Sequence, residues 1–240
     1  MRLRYHHFEK LGSTQDQARA LLDQGEAPPF LITADEQSAG HGRLGRTWIS
    51  PRGNFYGSLA MRPAVDPARY GEYSFLTAAA LLSTIGKFSK GDITLKWPND
   101  ILLGGKKCAG VLIESCGAKN EILIIGMGVN LRYAPPVQEV PKPTAALWPE
   151  APLDVKRDKR FTKELMKNFI AWHRRYENRG FEVVRNEWAA YAHHLGQPIT
   201  VETPRERLEG VFTGIDAQGN LLLTQDGETR KVTAADVSLS

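Results

Sequence analysis

Gly40-His41-Gly42-Arg43-Leu44-Gly45-Arg46-Thr47 is the stretch of this 240-residue sequence whose residue types and spacing most plainly imply chemistry. Glycines let backbone N–H groups approach an anion closely, and arginine forks bind phosphate or carboxylate through paired hydrogen bonds. The surrounding segment Gln37–Val65 contains Arg43, Arg46, Arg52 and Arg62 and no Asp or Glu. The chain holds 31 Lys plus Arg against 27 Asp plus Glu, so this segment accounts for the whole excess of four. A charge excess gathered in one glycine-rich loop suits a small polyanion, whereas a nucleic-acid surface spreads its charge along a face.

The loop fits both Gly-x-Gly-x-x-Gly and Gly-x4-Gly-Arg-Thr, a P-loop with Arg in place of Lys. Each of those motifs needs a helix directly after it, whose N-terminus receives the phosphate. Here Trp48-Ile49-Ser50-Pro51-Arg52-Gly53-Asn54 follows, which cannot begin a helix of any length. Asp66 comes after a strand and Pro63 and does not close a βαβ unit, and no kinase-type HRD loop lies downstream. The sequence therefore predicts a strand–glycine loop–strand that binds an anion by another route.

Strands are expected at Tyr5–Phe8, Phe30–Ala34, Phe55–Met61, Ile93–Trp97, Ile101–Leu103, Lys107–Ser115 and Glu121–Asn130, from their apolar and β-branched content. Leu103-Gly104-Gly105-Lys106 is a hairpin turn by composition. Ser13 is a helix N-cap for Thr14–Leu22, and Pro67–Phe88 and Asp158–Asn178 read as longer helices. The last of these carries Phe161, Leu165, Phe169, Trp172 or His173, and Tyr176 on one stripe, and Phe181–His194 follows it. Strands in unbroken succession imply antiparallel pairing with helices on one face, an α+β fold. The proline-rich Tyr133–Ala151 is a loop. From Pro198 four short strands, Ile199–Thr203, Leu208–Ile215, Asn220–Thr224 and Thr229–Thr233, read as a small β-barrel too short to fold comfortably alone. The chain is thus expected to divide into residues 1–195 and 196–240.

Ile122–Leu131, the longest apolar stretch, is broken by glycines and is far too short to span a bilayer. The N-terminus has no apolar core of a secretion signal, and Cys108 and Cys116 fit neither a zinc pair nor a disulfide framework. A cytoplasmic protein with thiols as core filler is the expectation. His6, His7, His173, His193 and His194 read as structural or surface residues, since adjacent pairs diverge on a strand or helix.

Ser13-Thr14-Gln15 and Gln37-Ser38-Ala39 leading into the glycine loop and Trp48 resemble the ligand-binding half of the biotin protein ligase family. Lys96-Trp97-Pro98-Asn99-Asp100, Lys107-Cys108-Ala109-Gly110-Val111 and Gly126-Met127-Gly128-Val129-Asn130 match the family's other blocks in order and spacing. Gln15 stands where that family commonly has Asn, and His41 where it often has Arg. The resemblance implies a class II synthetase-like catalytic domain with a mixed, largely antiparallel sheet, followed by an SH3-like β-barrel. It implies ATP and biotin as substrates, Mg²⁺ as the accompanying ion, and a biotin carboxyl carrier protein of acetyl-CoA carboxylase as the acceptor. By the same resemblance Lys107 and Arg43 serve the reacting carboxylate and α-phosphate, and Arg46 and Lys96 the other phosphates. Ser13, Thr14, Gln15, Gln37, His41, Gly42, Arg43, Lys107 and Gly110 would hold biotin, and Trp48, Asn99 and Asn130 the nucleotide. Asp100 would orient the cations.

Some family members carry a DNA-reading winged helix and also repress transcription; with eleven residues before Gly12, no DNA binding is expected here. A homodimer is compatible with the pattern. Two rivals remain at this point. A lipoate or octanoate ligase on the same fold would leave the polar Ser13-Thr14-Gln15 and Gln37 set unpaired against an acyl chain. An RNA-binding module would place aromatic side chains on the barrel, yet Phe212 is the tail's only aromatic residue.

Overall fold

The computed structural model describes residues 3–140, 142–203, 206–233 and 236–239. The larger part comprises β1 (Arg4–Leu11), α1 (Thr14–Asp23), β2 (Phe30–Gln37), β3 (Phe55–Met61), α2 (Glu72–Ile85), β4 (Ile93–Lys96), β5 (Asp100–Leu103), β6 (Lys106–Cys116) and β7 (Ile122–Val129), then α3 (Val155–Arg179) and α4 (Phe181–Ala190). Its strands form one sheet in the order β1-β2-β3-β7-β6-β5-β4. β1 and β2 run parallel and the remaining neighbours antiparallel, the mixed α+β arrangement that a run of strands implies. Among the described residues no helix is long and apolar enough to cross a membrane.

Strand alternation gives the sheet two unlike faces. Leu31, Leu59, Ile125, Met127 and Val111 face the main core beneath α2, α3 and α4. α2 is buried on almost every side, as its Ala78-Ala79-Ala80-Leu81-Leu82 run allows. Its buried Glu72 is held bidentately by Arg69 at 2.9 Å for both bonds and by the Tyr176 hydroxyl. On the opposite face Phe30, Ile32, Ala60 and Ile124 pack on Ala18 of α1. Helices were expected on one face; the crossover that makes β1 parallel to β2 carries α1 to the other, where it covers Phe30 and Ile32. Further along that second face stand Gly126, Gly128 and Gly110, which cover nothing and leave the sheet bare.

A bulge decides which way Lys107 points. Ile101 pairs with Ala109 and Leu102 with Lys107, so Cys108 is an extra residue on β6. The bulge resets the alternation and puts Lys107 on the same face as Gly110 and Leu112, while Lys106 is exposed at the hairpin. Gly104 and Gly105 both have positive φ, 57° and 73°, as a two-residue hairpin turn requires. Cys108 is fully buried, and burial pushes its thiol up to about 12, out of reach of nucleophilic chemistry.

Several element boundaries differ from expectation for local reasons. Pro67–Phe88 is not one helix: Asp66 caps a 3-10 turn at Pro67–Arg69, and α2 starts after Gly71 and ends before Gly86. α3 begins three residues before Asp158, because the Asp154 carboxylate accepts from the Lys156 and Arg157 N–H groups. α4 stops at Ala190, since the chain then pairs with β4: the Leu95 N–H donates to Tyr191 O at 2.7 Å and the His193 N–H to Leu95 O at 2.8 Å.

The C-terminal part forms a five-stranded antiparallel sheet, ordered β11 (Glu228–Val232), β10 (Leu221–Gln225), β9 (Arg207–Ile215), β8 (Pro198–Glu202) and β12 (Asp236–Leu239). β12 was not expected from the sequence. Among the described residues the sheet is open, with β11 and β12 as edges, where a closed barrel was expected. It need not close, because Ile199, Val201, Phe212, Ile215, Leu221 and Leu223 join the main core. Trp188 of α4 meets Phe212 edge-on at 6.4 Å, and the Trp97 indole N–H donates to Gly219 O at 2.9 Å.

Gly219 and Gly227 both sit at φ +82°, but a Cβ on Gly219 would lie 2.7 Å from the Phe75 ring, whereas one on Gly227 meets nothing within 4 Å. Gly227→Ala is expected to cost about 1 kcal/mol, the backbone penalty alone, and Gly219→Ala about 2–4 kcal/mol through added overlap. Denaturant midpoints measure the difference, and equal losses would mean that the turn does not pack as described.

Candidate active site

A cleft of ≈ 560 Å³ opens over the bare glycine face of the sheet. Its uncharged end is built around the start of α1. The Ser13 side chain caps the helix, accepting from the Gln15 N–H at 3.2 Å. Gln37 Oε1 accepts from the Thr14 N–H at 2.8 Å, and Gln37 Nε2 donates to Ser50 Oγ at 2.9 Å. Ser58 Oγ lies 2.8 Å from both Thr14 Oγ1 and Gln15 Oε1, while Gln15 Nε2 donates to Ile124 O at 3.3 Å. Ser13, Thr14, Gln15 and Ser58 are all buried. Groups that bind one another this closely are fixed in place before any ligand arrives, which suits recognition of a neutral polar group.

The glycine loop is a folded excursion that runs into β3, not into a helix, so the P-loop and dinucleotide readings fail as the sequence predicted. The Gly42 N–H donates to Arg46 O at 2.7 Å and the Trp48 N–H to Gly40 O at 2.8 Å, around a 3-10 turn at Arg43–Gly45. Gly40 is indispensable: a Cβ there would lie 2.5 Å from Ser50 Oγ and 2.6 Å from Trp48 O. The indole of Trp48 lies against the sheet, in the space a Cβ on Gly128 or Gly110 would need.

At the charged end Arg43 Nη1 donates to Asn99 Oδ1 at 3.3 Å, and Asn99 Nδ2 to Val111 O at 2.7 Å, so β6 orients Arg43 through Asn99. The Lys107 ammonium lies 2.7 Å from Asp100 Oδ1 and 5.2 Å from the centre of the Trp48 ring. Burial, and then repulsion from Lys142, hold Lys96 down to about 8, with Lys107 adding to the effect and Asp100 opposing it. Arg43, Arg46, Lys96, Lys107 and Lys142 thus face a lining whose carboxylates are Asp100 and Glu139. Among the described residues no three His, Cys, Asp or Glu come together as a metal site.

All fourteen residues singled out from the sequence line this cleft: Ser13, Thr14, Gln15, Gln37, His41, Gly42, Arg43, Arg46, Trp48, Lys96, Asn99, Lys107, Gly110 and Asn130. Asp100 joins them, and of the six histidines His41 alone is in the lining. Trp97 reaches the lining too but spends its N–H on the C-terminal sheet. Sequence reasoning missed Ser58, Ser50 and Lys142. Ser58 carried a signal, a lone hydroxyl on the face of an otherwise apolar strand; Lys142, in a proline-rich loop, carried none.

Residues 9–130 match the Biotin/lipoate A/B protein ligase family and residues 194–240 the Biotin protein ligase C terminal domain. The chain is 36% identical to a biotin–[acetyl-CoA-carboxylase] ligase of Paracoccus denitrificans, over 90% of this chain and 92% of that one. It is 31% identical to the bifunctional ligase/repressor BirA of Bacillus subtilis, over 98% of this chain and 73% of that protein. Its fold superposes on biotin protein ligase from Aquifex aeolicus in complex with biotin and ATP with a TM-score of 0.82, at 20% identity and 99% coverage of both chains.

Lys96 makes the charged end pH-dependent. An anion bound there favours the ammonium, so binding takes up protons near pH 8, and affinity falls as pH rises through about 8. Titration calorimetry with tripolyphosphate at pH 8, in two buffers of different ionisation enthalpy, is expected to show that uptake in the native chain. It should shrink in Lys96→Gln; equal uptake in both would remove Lys96 from the anion site.

Proposed function

The chain belongs to the biotin/lipoate A/B protein ligase family, and on that premise we propose that it is an ATP-dependent biotin–protein ligase. A biotin carboxylate oxygen attacks the α-phosphorus of ATP, the bond to the bridging β-phosphate oxygen breaks, and biotinyl-5′-AMP and diphosphate form. The ε-amine of one lysine on a biotin carboxyl carrier protein then attacks the acyl carbon, and AMP leaves as an amide is made. The name of the Paracoccus relative supports the carrier of acetyl-CoA carboxylase as that acceptor. The observation that carries the reading is one continuous cleft, with a preset neutral polar end at Ser13, Thr14, Gln15 and Ser58 and a cluster of five cations beyond it.

That division matches the two substrates. Biotin's ureido bicycle is uncharged and needs a few fixed polar partners, which we assign to Ser13, Thr14, Gln15, Gln37 and the backbone of His41, Gly42 and Gly110. Its carboxylate is already ionised at neutral pH and needs no base to become a nucleophile. What the first step needs is relief of the repulsion between carboxylate and triphosphate, in a site from which water withdraws. We assign Lys107 and Arg43 to the meeting point of carboxylate and α-phosphate, and Arg46 and Lys96 to the outer phosphates. Trp48, Asn99 and Asn130 are assigned to the nucleoside. Mg²⁺ accompanying ATP would take most of its oxygens from phosphates and water, with Asp100 as the carboxylate at hand, and would spread the phosphate charge. In this reading residues 1–195 are the catalytic unit and 196–240 a C-terminal unit docked on it.

Exchange of labelled diphosphate into ATP, with biotin, lipoate, octanoate or no acid, tests the reading. Dependence on biotin alone is expected, and dependence on lipoate without biotin would contradict it. Within that assay Lys107→Ala is expected to lose about a hundredfold or more, the usual effect of removing one charge-stabilising donor. Lys106→Ala should stay within about twofold, since its side chain lies outside the cleft. Equal losses would refute the role given to the β6 bulge.

A further inference from the structure

Ser58 stands on β3, fully buried, where it joins two side chains from the start of α1. Its Oγ lies 2.8 Å from both Gln15 Oε1 and Thr14 Oγ1. A hydroxyl has one proton to give and two lone pairs to receive with. The direction of each bond is fixed one step further back. Gln15 Nε2 donates to Ile124 O at 3.3 Å, and a backbone carbonyl only accepts, so the amide nitrogen must face β7. Gln15 Oε1 therefore turns to Ser58 and takes its proton. The Thr14 hydroxyl is left to donate to Ser58 Oγ. With that proton spent, Thr14 Oγ1 meets a ligand only as an acceptor.

The residue before it is set the opposite way. Ser13 Oγ accepts from the Gln15 N–H at 3.2 Å, and among the described residues no acceptor takes its proton. Consecutive residues at the head of α1 thus offer one donor and one acceptor, both buried and both in the cleft lining. The long Gln15 amide reaches its place over Gly126, where a Cβ would lie 2.9 Å from Gln15 Oε1.

We propose that Ser58 and Gln15 are positioning residues that determine specificity. They hold Thr14 as an obligate acceptor, so that Ser13 and Thr14 together read a carbonyl and an N–H carried side by side. In the ligase reading, on which this rests, the ligand with that edge is the ureido ring of biotin. A ring with oxygen in place of the N–H brings no proton and sets lone pair against lone pair at Thr14. Neither Ser58 nor Gln15 need touch the ligand for this; each acts through where the Thr14 proton points.

ATP–diphosphate exchange on the full chain tests this, with biotin and the two cyclic carbamates in which one ureido N–H is replaced by oxygen. In the native chain one carbamate is expected to fall about thirtyfold or more below biotin in kcat/KM. Ser58→Ala removes the acceptor that captures the Thr14 proton. Gln15→Met removes the one that captures the Ser58 proton, and reaches the same end if Ser58→Ala does not fold. Either change frees the Thr14 hydroxyl to donate. Each variant should therefore bring that carbamate within about fivefold of biotin, while the KM for ATP stays within about twofold. A purely structural role would lower biotin and carbamate alike and leave their ratio unchanged, and that result would overturn the proposal. So would two carbamates as good as biotin in the native chain. Absence of biotin-dependent exchange in the native chain would instead overturn the ligase reading beneath it.

Discussion

Like charges must be brought together before a carboxylate can attack a triphosphate, and at about 4 Å each pair of unit charges repels by about 4 kcal/mol at an effective dielectric constant of about 20. Several such pairs act at once, so the cleft has to present cations whose positions are already set. It does so through neighbours that orient them. Asn99 is anchored to Val111 O and receives Arg43, Asp100 receives Lys107, and the Trp48 ring lies beneath the Lys107 ammonium. The depressed Lys96 shows the other side of this arrangement: burial first, and then repulsion from Lys142, disfavours its charge until an anion arrives.

The sheet supplies the ground on which those cations stand. Gly110 on β6 faces Gly128 on β7, with Gly126 two residues along the same strand, where side chains would fill the cleft; Cβ atoms on Gly126 and Gly128 would collide with Gln15 and Trp48. With that strip bare, the start of α1 and the glycine loop can both lie against the sheet. The buried bonds among Ser13, Thr14, Gln15, Gln37, Ser50 and Ser58 then join helix, loop and strand into one rigid polar end. Rigidity at that end lowers the ordering cost of binding and fixes where the attached carboxylate must arrive.

Much of this was legible in the sequence because local chemistry and tertiary structure agree. β3 and β7 are largely apolar strands, Gly104-Gly105 permits one tight turn, and Ser13 caps its helix. The glycine loop was read correctly as leading into a strand, since Trp48 to Asn54 cannot begin a helix. The unread parts depend on register and on distant packing. The Cys108 bulge has no local signature, yet without it Lys107 and Gly110, three apart on one strand, would face opposite ways. α1 changes face because of how β1 pairs, and among the described residues the C-terminal sheet is open, with its inner face covered by the main core. Lys142 reaches the cleft through hydrogen bonds of its neighbours to a strand far away in sequence, which no spacing rule anticipates.

The central claim, that fixed cations cancel the repulsion between the two substrates, is tested most directly by calorimetry. The dissociation constant of biotin would be measured alone and then with a saturating ATP analogue whose α,β-bridging oxygen is replaced by methylene. Cancellation predicts that biotin binds as tightly or more tightly with the nucleotide in place. A many-fold loss of biotin affinity under nucleotide would show that the anions still repel one another in the cleft, and would contradict the account.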